Sequence, residues 1–125
     1  MKVCVPTGDD SGIEGIVEQH FGKAPTYTIM DTDTGEVYVI PNESDHMGGV
    51  GLPPEYLHKN GVEIMLCAGL GYKALRMFES YGVRVFVGAK GTVKDTLTAW
   101  ETGLLKSATS ENVCAEHGHE HAHCH

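Results

Sequence analysis

Short apolar runs alternate with helical patterns in the second half of the chain, and this alternation predicts its architecture. Ile64, Met65, Leu66 and Cys67 form a continuous apolar segment too short for a helix. Val83, Val85, Phe86 and Val87 form another, rich in β-branched and aromatic side chains. Both read as strands covered on two faces. Between them Ala74, Leu75, Phe78 and Tyr81 recur at helical spacing. The stretch from Val62 to Gly88 therefore predicts a right-handed βαβ crossover, its two strands parallel and its helix covering one face of the sheet.

The remaining segments supply the partners of that unit. Lys2 to Val5 predicts a strand, stopped by the turn-forming run from Pro6 to Gly12. Tyr27 to Asp31 and Glu36 to Ile40 predict an antiparallel pair joined through Thr32-Asp33-Thr34-Gly35. Pro53 and Pro54 suit the start of a short helix and Asn60-Gly61 its left-handed end, with Tyr56 and Leu57 facing inward. Thr92 reads as an N-cap with Asp95 three residues on, ahead of a stripe of Val93, Leu97, Trp100 and Leu104 that Gly103 interrupts. The order β-ββ-α-β-α-β-α predicts an α/β domain over residues 1–105, a five-stranded mixed sheet of ribonuclease-H-like topology with helices packed on it. Residues 106–125 carry no periodicity and read as a flexible Cys/His-rich tail that lacks structure without metal.

Composition adjusts this picture in three places. A chain of 125 residues suits one domain, and it has no apolar run of membrane-spanning length. It opens directly on a strand pattern instead of a secretory leader, so the expected compartment is the cytoplasm. Cysteines stand at 4, 67, 114 and 124, two of them in predicted core strands, which favours free thiols or metal thiolates over a disulfide framework. The formal net charge is −8, which argues against a general nucleic-acid binder. Residues 1–60 carry ten carboxylates and three lysines, whereas residues 61–110 carry four carboxylates and six bases. The second half thus favours a small anion over a long polyanion.

Two constellations could carry chemistry. Cys114, His117, His119, His121, His123, Cys124 and His125 lie within twelve residues, a density of imidazole and thiol that suits a divalent transition metal such as Zn, Ni, Cu or Fe. The histidines alternate with Glu, Gly, Ala and Cys, unlike a purification tag. The second constellation is His20, His46 and Cys67 around the turn of Gly69 and Gly71, where exposed amides and the positive end of the following helix can hold an anion. Lys73 and Arg76 follow in the first turns of that helix. Taken singly, Cys67 could be a small core residue, His46 a loop residue and His20 a structural histidine.

Two enzyme classes fit poorly. Gly69-Leu70-Gly71-Tyr72-Lys73-Ala74 matches a dinucleotide fingerprint, but Val87-Gly88-Ala89-Lys90 stands where an acidic ribose partner is needed. Two-metal nuclease chemistry needs carboxylates on the central strands, and Val3 to Val5 and Ile64 to Cys67 supply none.

His20-Phe21-Gly22-Lys23-Ala24, the loop histidine His46, Gly61-Val62 leading to Ala68-Gly69-Leu70-Gly71, and Tyr81-Gly82-Val83 together give the chain a recognisable pattern. Over residues 1–105 it resembles the dinitrogenase iron-molybdenum cofactor biosynthesis family, which includes NifX, NafY and the carboxyl-terminal domain of NifB. Among its members the chain is most similar to small stand-alone archaeal proteins. The resemblance implies a ribonuclease-H-like fold and non-catalytic binding of an iron-sulfur or iron-molybdenum-sulfur cluster in transit to an acceptor or assembly protein. It also implies His20 as a cluster ligand, Gly69 and Gly71 as the family's glycine turn, and His46 as its loop histidine. The Cys/His tail departs from the family pattern. Three expectations follow: a carrier of an anionic metal-sulfur cluster, a metal store acting through the tail, or an interaction module without a cluster, with no nucleic-acid or membrane partner.

Overall fold

The computed structural model describes residues 1–43 and 52–109, so His46 and the tail from residue 110 onward lie outside the described residues. The elements run β1 (Lys2–Thr7), β2 (Thr26–Asp31), β3 (Val37–Pro41), α1 (Pro53–Lys59), β4 (Val62–Cys67), α2 (Tyr72–Ser80), β5 (Arg84–Val87), α3 (Val93–Glu101) and β6 (Lys106–Ala108). The strands form one sheet in the order β3-β2-β1-β4-β5-β6. β1, β4 and β5 are mutually parallel; β2, β3 and β6 join antiparallel to their neighbours.

Period-two alternation sorts the strand residues onto two faces. Cys4, Tyr27, Ile29, Met65, Cys67 and Val85 face one way and pack with Tyr56 and Leu57 of α1 and Leu75 and Phe78 of α2. Val3, Val5, Ile64 and Leu66 face the other way and pack with Val93 and Leu97 of α3. The sheet is therefore the middle of three layers, which is why its central strands are apolar on both faces. Thr92 caps α3 through the expected reciprocal pair with Asp95.

The sheet has six strands, one more than the sequence pattern predicts. After Gly103 the chain turns back and lays Lys106, Ser107 and Ala108 beside Val87, Phe86 and Val85. A three-residue edge strand with one buried side chain is too short and too polar to show an alternation. The folded body therefore runs through Ala108, past the expected boundary at 105. Leu104 is a second correction: it is 78% exposed and lies outside the helix stripe, because α3 ends at Glu101.

The long segment after β1 is less irregular than its composition suggests. Gly8 and Glu18 donate backbone hydrogen bonds to Ile16 and Pro6, Val17 donates to Gly91, and Val93 donates to Gly15. Val17 is buried in the α3 side of the core. These bonds tie the loop to both β1 and the start of α3, so its far end is delivered to a fixed place.

Candidate functional site

Because β1 and β4 are neighbours and parallel, the loops that follow them leave the same edge of the sheet. One loop brings Gln19, His20, Phe21 and Gly22; the other brings Gly69, Leu70 and Gly71. Together with Leu52, Pro53 and Pro54 and with Lys73, Ala74 and Met77 of α2, they line an open cleft of about 590 Å³. Sheets with parallel central strands commonly place ligands at this edge.

His20 is held there by its neighbours. Its backbone N–H donates to Glu18 Oε2 at 3.2 Å, and its carbonyl accepts from Lys23 N at 2.8 Å to close a single turn of 3₁₀ helix over Phe21–Lys23. Phe21 plunges from that turn into the core, stacking edge-on against Phe78 and tilted against Tyr27. With Phe21 fixed inward, His20 and Gly22 on either side remain exposed on the cleft wall. Asn42, just past β3, braces the same turn by donating from its side chain to Ala24 O at 2.7 Å.

The opposite wall is the start of α2. Gly71 is its N-cap and offers no side chain to the first-turn amides, and no acidic residue stands in that turn. Those N–H groups lack acceptors within the helix and carry its positive end toward the cleft. Lys73 adds a cation, and no carboxylate lines the cleft among the described residues. The start of α1 differs: prolines at its first two positions remove two amide donors, leaving an apolar surface of Leu52, Pro53 and Pro54. The cleft thus has a cationic, donor-rich side and an apolar side.

Three glycines mark where backbone is exposed to this space. Twelve glycines lie among the described residues; seven adopt positive φ, a Cβ on Gly15 would crowd the Gly12 carbonyl at 3.0 Å, and one on Gly8 would make an ordinary contact with Glu18 Oε1 at 3.8 Å. Gly22, Gly69 and Gly71 have neither constraint, and all three line the cleft. Neither conformation nor packing among the described residues requires glycine at these positions. Their lack of side chain leaves room for a ligand to approach the backbone itself.

Of the residues expected from sequence, His20, Gly69, Gly71 and Lys73 meet at the cleft. Two do not. Cys67 is fully buried on the α2 face of the sheet, and burial pushes its thiol up to about 12, so it is a neutral core residue sealed from the cleft. Cys4 is buried alongside and shifted in the same direction by the same cause. Arg76 faces away from the lining: its guanidinium donates to Tyr72 Oη at 3.3 Å and lies over the Tyr72 ring. On α2 it falls between Lys73 and Met77, about a quarter turn off the face that lines the cleft. Sequence reasoning missed Met77, Gly22 and the apolar wall at Leu52–Pro54. Met77 was legible as an apolar side chain one turn beyond Lys73, off the Leu75 and Phe78 stripe.

Among the described residues no three His, Cys, Asp or Glu side chains converge as a metal cage. No described helix is long and apolar enough to cross a membrane.

The architecture is that of an α/β domain, a mixed six-stranded sheet between helices with a cleft at the edge where the loops after β1 and β4 emerge. The model of the family described as "Dinitrogenase iron-molybdenum cofactor" matches residues 1–103, and the chain belongs to that family. Among solved structures it is similar to PH0822, with 30% identity, a TM-score of 0.71, and coverage of 86% of this chain and 96% of that one. It is also similar to a candidate NifB protein from Thermotoga, with 28% identity, a TM-score of 0.72, and coverage of 85% and 91%. The apo form of the orange protein from Desulfovibrio gigas shares the fold at 22% identity, with a TM-score of 0.76 and coverage of 86% and 92%. The chain matches no curated protein.

Proposed function

We propose that this protein binds and carries an anionic metal-sulfur cluster, of the iron-sulfur or iron-molybdenum-sulfur class or a precursor of it, in the cleft between His20 and the start of α2. The observation that carries this reading is the set of three glycines without a structural requirement, gathered around one imidazole, one ammonium and the uncapped amides of α2. Sulfide-bridged clusters are negatively charged and bulky. Amide donors and Lys73 suit the charge, and an apolar wall suits the poorly hydrated sulfide surface. A single imidazole without a full ligand cage gives a hold that another protein can compete away, as delivery to an acceptor requires.

The family membership supports a role around cofactor assembly, and the cleft supports carriage over catalysis. β1 carries no carboxylate, and the one in β4, Glu63, is exposed at the end of the strand remote from the cleft. The topology we read as ribonuclease-H-like therefore lacks the acidic centre that phosphodiester chemistry needs. A cytoplasmic setting would keep the Cys114 and Cys124 thiols available for metal.

A second reading is supported by composition: the Cys/His tail alone captures a transition metal, and the protein is a store. Anoxic reconstitution with iron and sulfide separates the two. The carrier reading predicts visible cluster absorption that is lost in His20→Ala and kept when the tail histidines and cysteines are replaced by alanine and serine. Absorption that follows the tail and ignores His20 overturns it.

A further inference from the structure

The end of β3 is held from two sides. Tyr56 of α1 donates its hydroxyl to Pro41 O at 2.5 Å. Asn42 donates its side-chain amide to Ala24 O at 2.7 Å and its backbone N–H to Pro25 O at 2.9 Å. Ala24 closes the turn that presents His20, and Tyr56 stands one turn along α1 from Leu52 on the apolar wall of the cleft. Pro41 and Asn42 therefore tie the His20 turn to α1. Phe21 ties the same turn to α2, but aromatic contacts tolerate a range of tilts, as its pairs at 65° with Phe78 and 44° with Tyr27 show. Hydrogen bonds weaken steeply away from linearity, so the Asn42 pair fixes the rotation of the turn about its Phe21 anchor.

We propose that Asn42 is a positioning residue of the cleft: its side-chain amide, by holding Ala24 O, sets the direction in which His20 is presented relative to the α1 wall. Asn42 is not among the residues that line the cleft, so it acts through the turn and not on a ligand. The consequence for function rests on the cargo reading: an imidazole already held in place is not ordered at the moment of binding, which slows the loss of a bound cluster. Only a donor serves at this position. Aspartate is nearly isosteric with asparagine, but its ionised carboxylate has acceptors alone and repels the Ala24 carbonyl. The backbone bond from residue 42 to Pro25 survives that substitution, so the end of β3 keeps its place.

Nuclear magnetic resonance on the full chain tests this, with the histidine rings labelled and the His20 signals assigned by their loss in His20→Ala. The parent is compared with Asn42→Asp and with Thr92→Ala, which loses the cap of α3 on the other face of the sheet and so controls for lowered stability alone. Asn42→Ala, which removes the donor without adding a charge, is read in the same way and guards against misfolding of Asn42→Asp. In the cluster-free protein the His20 ring signals should move in both Asn42 variants and stay in place in Thr92→Ala. After anoxic reconstitution with iron and sulfide, the Asn42 variants should lose visible absorption to a chelator several-fold faster than the parent, and Thr92→Ala at the parent's rate. Unmoved His20 signals in the Asn42 variants overturn the proposal, as do equal changes in Thr92→Ala. Moved signals with cluster loss at the parent's rate refute the consequence for retention and leave the cargo reading standing. Moved signals in a protein that forms no cluster support the positioning role and overturn the cargo reading.

Discussion

Phe21 and Phe78 meet edge-on, their ring centroids 5.5 Å apart at 65°. Through this contact the turn that presents His20 is bolted to the helix that presents the uncapped amides, so the two sides of the cleft keep a fixed spacing. Aromatic pairs in this geometry add about 0.5–1.5 kcal/mol beyond their buried area. The relationship links packing directly to function, since loosening it frees one wall from the other.

Phe21→Ala should therefore lower stability by about 3–5 kcal/mol, the usual cost of truncating a buried phenylalanine. Phe21→Leu should cost less. In denaturant titrations both variants should unfold earlier. In reconstitution the leucine variant should remain folded yet hold cluster more weakly, because His20 is no longer fixed.

Substitution of Gly69 or Gly71 should separate binding from stability. A Cβ at either position meets no described atom within 4 Å, and neither residue has positive φ. Gly69→Ala, which touches no helix cap, should leave the thermal midpoint unchanged or raise stability by about 0.4–1 kcal/mol through the unfolded chain. Cluster loading should nevertheless fall. Gly82→Ala is the control: with φ at 76° it should destabilise without touching the cleft.

The buried thiols should govern behaviour at high pH. Burial raises Cys67 from 9.0 to about 12 and raises Cys4 in the same direction. Below about pH 9 both folded and unfolded chains keep the protons, and the full stability is present. Above it the unfolded chain releases protons that the folded chain retains, so stability falls by about 1.4 kcal/mol per pH unit for each such thiol. Denaturant midpoints measured across this range should show the fall, and Cys67→Ala should remove one proton's share of the slope. At pH 8, alkylation followed by peptide mass spectrometry should find Cys4 and Cys67 unmodified until the protein is unfolded.

The edge strand gives a fourth outcome. A chain ending at residue 105 should be less stable than one ending at residue 109 by on the order of 1–3 kcal/mol. It loses the β5–β6 ladder and the burial of Ala108. Equal midpoints would show that β6 contributes nothing.

These contrasts also show how far the sequence could be read. The βαβ unit, the hairpin and the Thr92 cap were legible because each has a local cause: a period, a turn residue or a capping pair. Lys106–Ala108 was not, because its strand conformation is imposed by β5 and leaves no mark on three polar or small residues. The site divides the same way. His20 and Gly69 could be brought together from topology alone, since parallel neighbours send their loops to one edge. Whether Cys67 faced the cleft or the core was a matter of strand parity at the last residue of β4, and only packing against Leu75 and Phe78 decides it. Arg76 and Met77 are adjacent in sequence. A rotation of 100° per residue sends one to Tyr72 and the other to the cleft.

The most direct measurement is the metal and acid-labile sulfide content of the full chain purified without air, compared with Gly71→Ala and His20→Ala. Carriage in the cleft predicts sulfide together with metal in the parent protein and, in the two variants, loss of the sulfide and of the metal bound with it. Metal without sulfide, held equally by all three proteins, would contradict it.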